Sequence, residues 1–176
     1  MSTTRRLTAV ALTGPLVASA AALALAAPAG ATLVTSTATS PPPCVAAHLR
    51  LVLGATEGAA GTHYQRFRIT NIGTATCRLA GYATFRFRNA AGDPIGFAST
   101  PAGQPVQVVR LAPGQHTRIT VGTVNPDVTL AADCHKAQAA SVAIMLPHRP
   151  HVYVRALSLQ VCTTQKYRPT SFPVGF

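Results

Sequence analysis

A chain of 176 residues with Lys+Arg 15 against Asp+Glu 4 carries a formal charge of +11, with four cysteines and no tryptophan. That length suits one domain around one core and is too short for two. The only acids, Glu57, Asp93, Asp127 and Asp133, all fall in predicted connections, so hydrolysis by a pair of carboxylates flanking a bond is not expected.

In chain order, residues 1–31 come first: Arg5 and Arg6, an apolar run from Leu7 to Ala27, then Ala29 and Ala31 flanking Gly30. This reads as a secretory signal with a small-x-small cleavage site, so the mature chain is expected to begin at Thr32. Gly14 and Pro15 break the apolar run, unlike a retained anchor. Thr8 and Ala9 stand where twin-arginine export prefers bulky apolar residues, which favours the general route. No lipid-accepting cysteine follows, and the final TSFPVGF has neither an apolar tail nor a sorting motif. The mature protein is expected to be secreted, extracellular or associated with the cell wall, and not membrane-spanning. Cleavage removes two arginines and leaves a net charge of +9. That field favours anionic partners outside the cell, such as wall polymers, lipid headgroups and acidic glycans, rather than a specific nucleic acid.

Residues 32–43, TLVTSTATSPPP, form a Ser/Thr/Pro spacer whose three prolines favour an extended chain. The folded domain is expected over 44–176. Within it the dominant signal is period two, the mark of strands with one buried face. Leu49, Leu51 and Leu53 share a face, while His48, Arg50 and Val52 share the other. Phe67 and Ile69 alternate with Arg66, Arg68 and Thr70; Phe85 and Phe87 with Arg86 and Arg88; Ile119 and Val121 with Arg118 and Thr120. A weaker run spans Val106 to Leu111, and the last two, SVAIMLP and VYVRALSLQV, bracket HRPH. Turn formers separate these runs at Asn71 and Gly73, 89–94, Pro113 and Gly114, 125–127 and 147–150. Only ADCHKAQAA has room for a helical turn or two. The pattern predicts an all-β domain, an immunoglobulin-like antiparallel β-sandwich of about seven strands, with a closed barrel as the alternative. In the absence of tryptophan, the aliphatic rows with Phe67, Phe85 and Phe87 are left to fill the core.

An even cysteine count in an exported chain reads as disulfides. Zinc is not expected, because Cys44, Cys77, Cys134 and Cys162 lack the close pairs a four-thiolate site needs. If successive strands alternate in direction, Cys44 and Cys77 share one end of the domain and Cys134 and Cys162 the other. The predicted pairing is therefore Cys44–Cys77 and Cys134–Cys162, each closing a loop worth about 3–4 kcal/mol.

The order Cys44, GAAGTHYQRFRITNIGTATCRLAGY (58–82), the LAPGQ turn (111–115), Cys134 and Cys162 resembles the secreted actinobacterial family called domain of unknown function 4232. The markers are Asn71, Gly73, Cys77, Leu79, Gly81 and Tyr82; many members place proline after the tyrosine, where this chain has Ala83. The resemblance implies an exported β-sandwich and supplies no catalytic residue.

Nothing in the residues themselves adds catalysis. Oxidised cysteines offer no thiolate, and no G-x-S-x-G elbow is present. His148 and His151 are read as exposed loop residues and His63 and His116 as strand-edge residues, since a firm metal site wants three or four ligands. No enzyme activity, cofactor or metal is expected. The arginines form the better constellation. If the first, second and fifth strands of the immunoglobulin arrangement share a sheet, Arg50, Arg66, Arg68 and Arg118 lie on one outer face near His48. Planar guanidiniums match phosphate and carboxylate, although any outer face needs charge for solubility. The expectation is a monomeric, non-catalytic domain that binds an anionic cell-wall polymer or lipid headgroups through that face. The alternative is a secreted protease inhibitor.

Overall fold

The alternating runs become strands because each has an apolar row to bury and a polar row to leave in water. In the computed structural model of the protein the described residues are 40–130 and 132–176. The expected signal, its cleavage before Thr32 and most of the spacer lie outside them. The described residues are all-β apart from three short 3-10 turns. In order the strands are β1 (Leu49–Ala59), β2 (Thr62–Asn71), β3 (Cys77–Leu79), β4 (Thr84–Arg88), β5 (Thr100–Pro101), β6 (Val109–Leu111), β7 (His116–Val124), β8 (Lys136–Met145), β9 (Val152–Cys162) and β10 (Thr170–Ser171). They form a five-stranded sheet in the order β1-β2-β7-β10-β5, a three-stranded sheet β4-β8-β9, and the pair β3-β6.

The two larger sheets share one core. Leu49, Leu51, Phe67, Ile69, Ile119 and Val121 from the first join Phe85, Phe87, Val142, Ile144 and Val161 from the second. The buried Phe67 and Phe85 rings stack with centroids 5.7 Å apart. Residues 95–102 cross between the sheets: Ile95 and Ser99 donate backbone N–H groups to Phe87 and Phe85, and Ala102 donates to Ser171. On the opposite side Tyr153 Oη donates to the Ala46 carbonyl (2.8 Å) and Arg155 Nε to the Leu51 carbonyl (2.7 Å), tying β9 to the edge strand β1.

Strand β1 runs well past the expected end near residue 53. At Gly54 and Ala55 it bulges against Arg66, then resumes pairing at Thr56↔Gln65. Gln65 is buried and its side-chain amide satisfies the bulge, donating to the carbonyls of Gly54 (3.0 Å) and Arg66 (2.9 Å) while accepting from Thr56. A Cβ on Gly54 would stand 3.0 Å from the Arg66 carbonyl oxygen, so the bulge needs glycine there. The apolar row ends early in consequence. Leu53, expected beside Leu49 and Leu51, is 45% exposed because β1 there leaves the core. The weak run at 106–111 forms a ladder only over β6, and the stretch read as a helical turn enters β8, where Ala137 pairs with Val161.

Both expected disulfides are present, with Cα–Cα distances of 4.7 Å for Cys44–Cys77 and 4.9 Å for Cys134–Cys162. Beside the first, buried Asn71 organises the two stretches that carry the family resemblance. Its Nδ2 donates to the carbonyls of Ala75 and Leu111, both at 2.9 Å, and its Oδ1 accepts from Gly73 N. Its backbone exchanges hydrogen bonds with Gln115 and Gly114 of the LAPGQ turn.

Candidate functional site

The register of β1, β2 and β7 places the expected arginines together. Arg50 pairs with Thr70, Val52 with Arg68, Arg66 with Thr120, and Arg68 with Arg118. Arg50, Arg66, Arg68 and Arg118 therefore share the outer face of the sheet, as period two implies. A shallow groove of about 430 Å³ runs between Arg66, Arg68, His116 and Arg118, with Gly54 and Gly175 at its margin. His48 does not join this face closely; it sits in the 3-10 turn packed on Gly73.

The four arginines are not equivalent. Arg66 forms an ion pair with Glu57, which the extended β1 carries into reach. Arg118 donates from Nε to the Phe176 carbonyl at 2.9 Å. Arg50 and Arg68 make no side-chain hydrogen bond or ion pair among the described residues. Arg68 and Arg118 are direct cross-strand neighbours, an arrangement in which like charges cost stability. A separate pocket that shares Arg66, Arg118 and Gly175 with the groove is walled by Tyr64, Phe172 and Phe176, with the Phe172 and Phe176 rings stacked at 4.7 Å. Sequence reading missed these rings and Glu57. The only available signal was the Phe172/Phe176 spacing in a segment that resembles a loose tail.

Two of the other three acids, Asp127 and Asp133, sit near the Cys134–Cys162 end. Lys136 Nζ reaches Asp127 at 2.8 Å and Lys166 Nζ reaches Asp133 at 2.7 Å. The hydrogen bond and charge of Lys136 hold the Asp127 carboxyl below its ordinary value, and the hydrogen bond to Asp133 raises Lys166. Asp93 closes its own turn with Asn89, whose Oδ1 accepts from Asp93 N at 2.9 Å. His148 and His151 are exposed on the β8–β9 tip, His151 packing edge-on against Tyr153 at 4.6 Å. Among the described residues no group of three or more His, Cys, Asp and Glu is placed to hold a metal, and no helix is long and apolar enough to cross a membrane.

These features define a disulfide-linked all-β domain with an arginine-bearing sheet face. The chain belongs to the family described as Domain of unknown function (DUF4232), whose profile matches residues 44–175. No curated protein matches it. Among solved structures it is similar to a selenomethionine-labelled β-glucosidase from Kluyveromyces marxianus, at 10% identity and a TM-score of 0.35. That likeness covers 69% of this chain and only 15% of the other, and nothing about activity follows from it.

Proposed function

We propose that this protein is a secreted, non-catalytic domain with an immunoglobulin-like sandwich, acting as a monomer that holds an anionic extracellular polymer on the outer face of β1, β2 and β7. Wall polymers bearing phosphate or carboxylate, or the headgroups of anionic lipids, are its expected partners. Arg50, Arg66, Arg68 and Arg118 supply the contacts, since guanidinium forks match both groups. The observation that carries the reading is the direct opposition of Arg68 and Arg118, with no Asp or Glu side chain paired to either and only the Phe176 main-chain oxygen on Arg118. Folding alone disfavours that pair; a bound anion reverses the sign of the interaction. The disulfides support an oxidising compartment.

The test is co-sedimentation of the purified, disulfide-bonded protein with envelope preparations across a salt series. Binding is expected to fall steeply as salt rises and to be lost in the charge-reversed Arg66→Glu/Arg68→Glu variant. Sedimentation that ignores both treatments would remove this face from consideration.

A further inference from the structure

A second basic site lies at the Cys44–Cys77 end, on neither sheet face. A cleft of about 690 Å³ opens there, walled by Pro43, Arg78, Tyr82, Val106, His148 and Arg149. Its walls come from distant parts of the chain. Arg78 follows the cysteine of the staple on β3, while His148 and Arg149 form the tip between β8 and β9. Pro147 presses the tip onto the β3–β4 link at Gly81: a Cβ there would lie 3.0 Å from the proline Cβ, and Gly81 has φ 107°, so glycine is needed twice over. The Tyr82 hydroxyl donates to the Gln104 carbonyl, which fixes that ring as a wall.

Three observations bear on a ligand. Arg149 Nε is shielded from solvent and has no hydrogen-bond partner among the described residues, a state shared by the Nε atoms of Arg86, Arg88 and Arg168, of which none lines this cleft. Buried donors of this kind are nearly always satisfied. His148 adopts φ 54°, a left-handed conformation that Ala60 also takes in the β1–β2 turn, and it sets the direction of the tip beside the cleft. Arg78 pairs directly with Arg110 across β3 and β6, again a like-charge opposition. Each of the four acids is committed elsewhere, Glu57 to Arg66, Asp93 to its own turn, and Asp127 and Asp133 to lysines.

We propose that this end cleft binds a phosphate group, with Arg78 and Arg149 as the direct contacts, Arg110 adding positive field and His148 offering a ring N–H. A phosphate offers several strong acceptor oxygens at once, which suits two guanidiniums arriving from a strand and a distant loop better than a single carboxylate does. The site is separate from the sheet face and does not depend on that face binding anything.

The test titrates the purified, disulfide-bonded protein with inorganic pyrophosphate at fixed ionic strength, following backbone amide shifts by NMR and affinity by calorimetry. Saturable shifts are expected around Arg78, Gly81, Tyr82, His148 and Arg149. Affinity is expected to fall about tenfold or more in Arg78→Gln and Arg149→Gln, the loss typical of a charge-assisted hydrogen bond, and to stay unchanged in Arg68→Gln/Arg118→Gln. Arg149→Lys keeps the charge and the fold but not the fork, and should still weaken binding. Equal losses in the cleft and face variants would reduce the effect to net charge and overturn the proposal. So would citrate binding as tightly as pyrophosphate, or no saturation at millimolar concentrations. Persistence of pyrophosphate binding in a protein that fails the envelope assay would leave the cleft standing and remove only the face.

Discussion

The two ends of the domain are each closed by one disulfide, and they treat charge in opposite ways. At the Cys134–Cys162 end Asp127 meets Lys136 and Asp133 meets Lys166, while Thr163 and Thr164 hydroxyls donate to the carbonyls of His135 and Asp133. The neighbouring tips belong to the same balanced region: Gly61 of the β1–β2 turn approaches Val128, and Gly96, beyond Asp93, approaches Thr163. At the Cys44–Cys77 end the hydrogen bonding centres on the neutral amide of Asn71, and the nearby cleft with its β6 neighbour carries Arg78, Arg110, His148 and Arg149 and no acid among its lining residues. One end is internally neutralised and the other is left cationic. The fold needs a staple and a hydrogen-bonded turn at each end; it does not need uncompensated arginines, and the proposed phosphate site rests on that difference.

Removing the staples should give the largest effect and should not distinguish the ends. The cysteine separations are 33 and 28 residues, so the chain-entropy cost is nearly equal. Replacing either pair by alanine is expected to lose about 3–4 kcal/mol in chemical denaturation. A much larger loss at one end would show that its staple also holds a local structure. Next comes Asn71→Ala, which strips the buried Leu111 carbonyl and the more exposed Ala75 carbonyl of their donor. A loss of about 2–3 kcal/mol by denaturant titration is expected, and a neutral result would refute the role given to Asn71.

Smaller effects separate the ends by pH and salt. Asp127 has its folded value lowered, so its contribution is present above the ordinary carboxylate range and disappears as pH falls through the folded value. Lys166 has its value raised, so its contribution is present below the ordinary lysine value and is lost as pH rises through the folded value. Melting curves of Asp127→Asn and Lys166→Met should each lose only the matching limb of the pH profile, and added salt should erase both differences. The smallest effect has the opposite sign. Arg110→Thr relieves the opposition to Arg78 and should raise stability by a few tenths of a kcal/mol at low salt. A loss of stability there would mean that the cationic end is balanced by contacts not described above.

Much of this was legible before any coordinates. The rows around Phe67, Phe85 and Ile119 announced the core, alternating strand direction paired the cysteines, and period two put Arg50, Arg66, Arg68 and Arg118 on one face once β1, β2 and β7 shared a sheet. What stayed hidden depends on partners far away in sequence. The bulge at Gly54 requires Gln65 from the next strand, and without it the glycines and alanines of GATEGA give no strand signal. The two-residue strands β5 and β10 exist only because they find each other and β7. The ion pair of Glu57 follows from the hidden length of β1. The end cleft needs β3 to meet the β8–β9 tip, and no local pattern encodes that meeting.

The link from Arg155 to β1 has a further consequence. An edge strand with free carbonyls is a template on which a second copy can add its own strand, and repeated addition builds fibres. Here the Leu51 carbonyl is already taken by Arg155 Nε, and the guanidinium stands beside the strand. A copy docking at that point must displace the bond and bury a charge without a partner. The side chain that fastens the two sheets thus also discourages polymerisation at that edge.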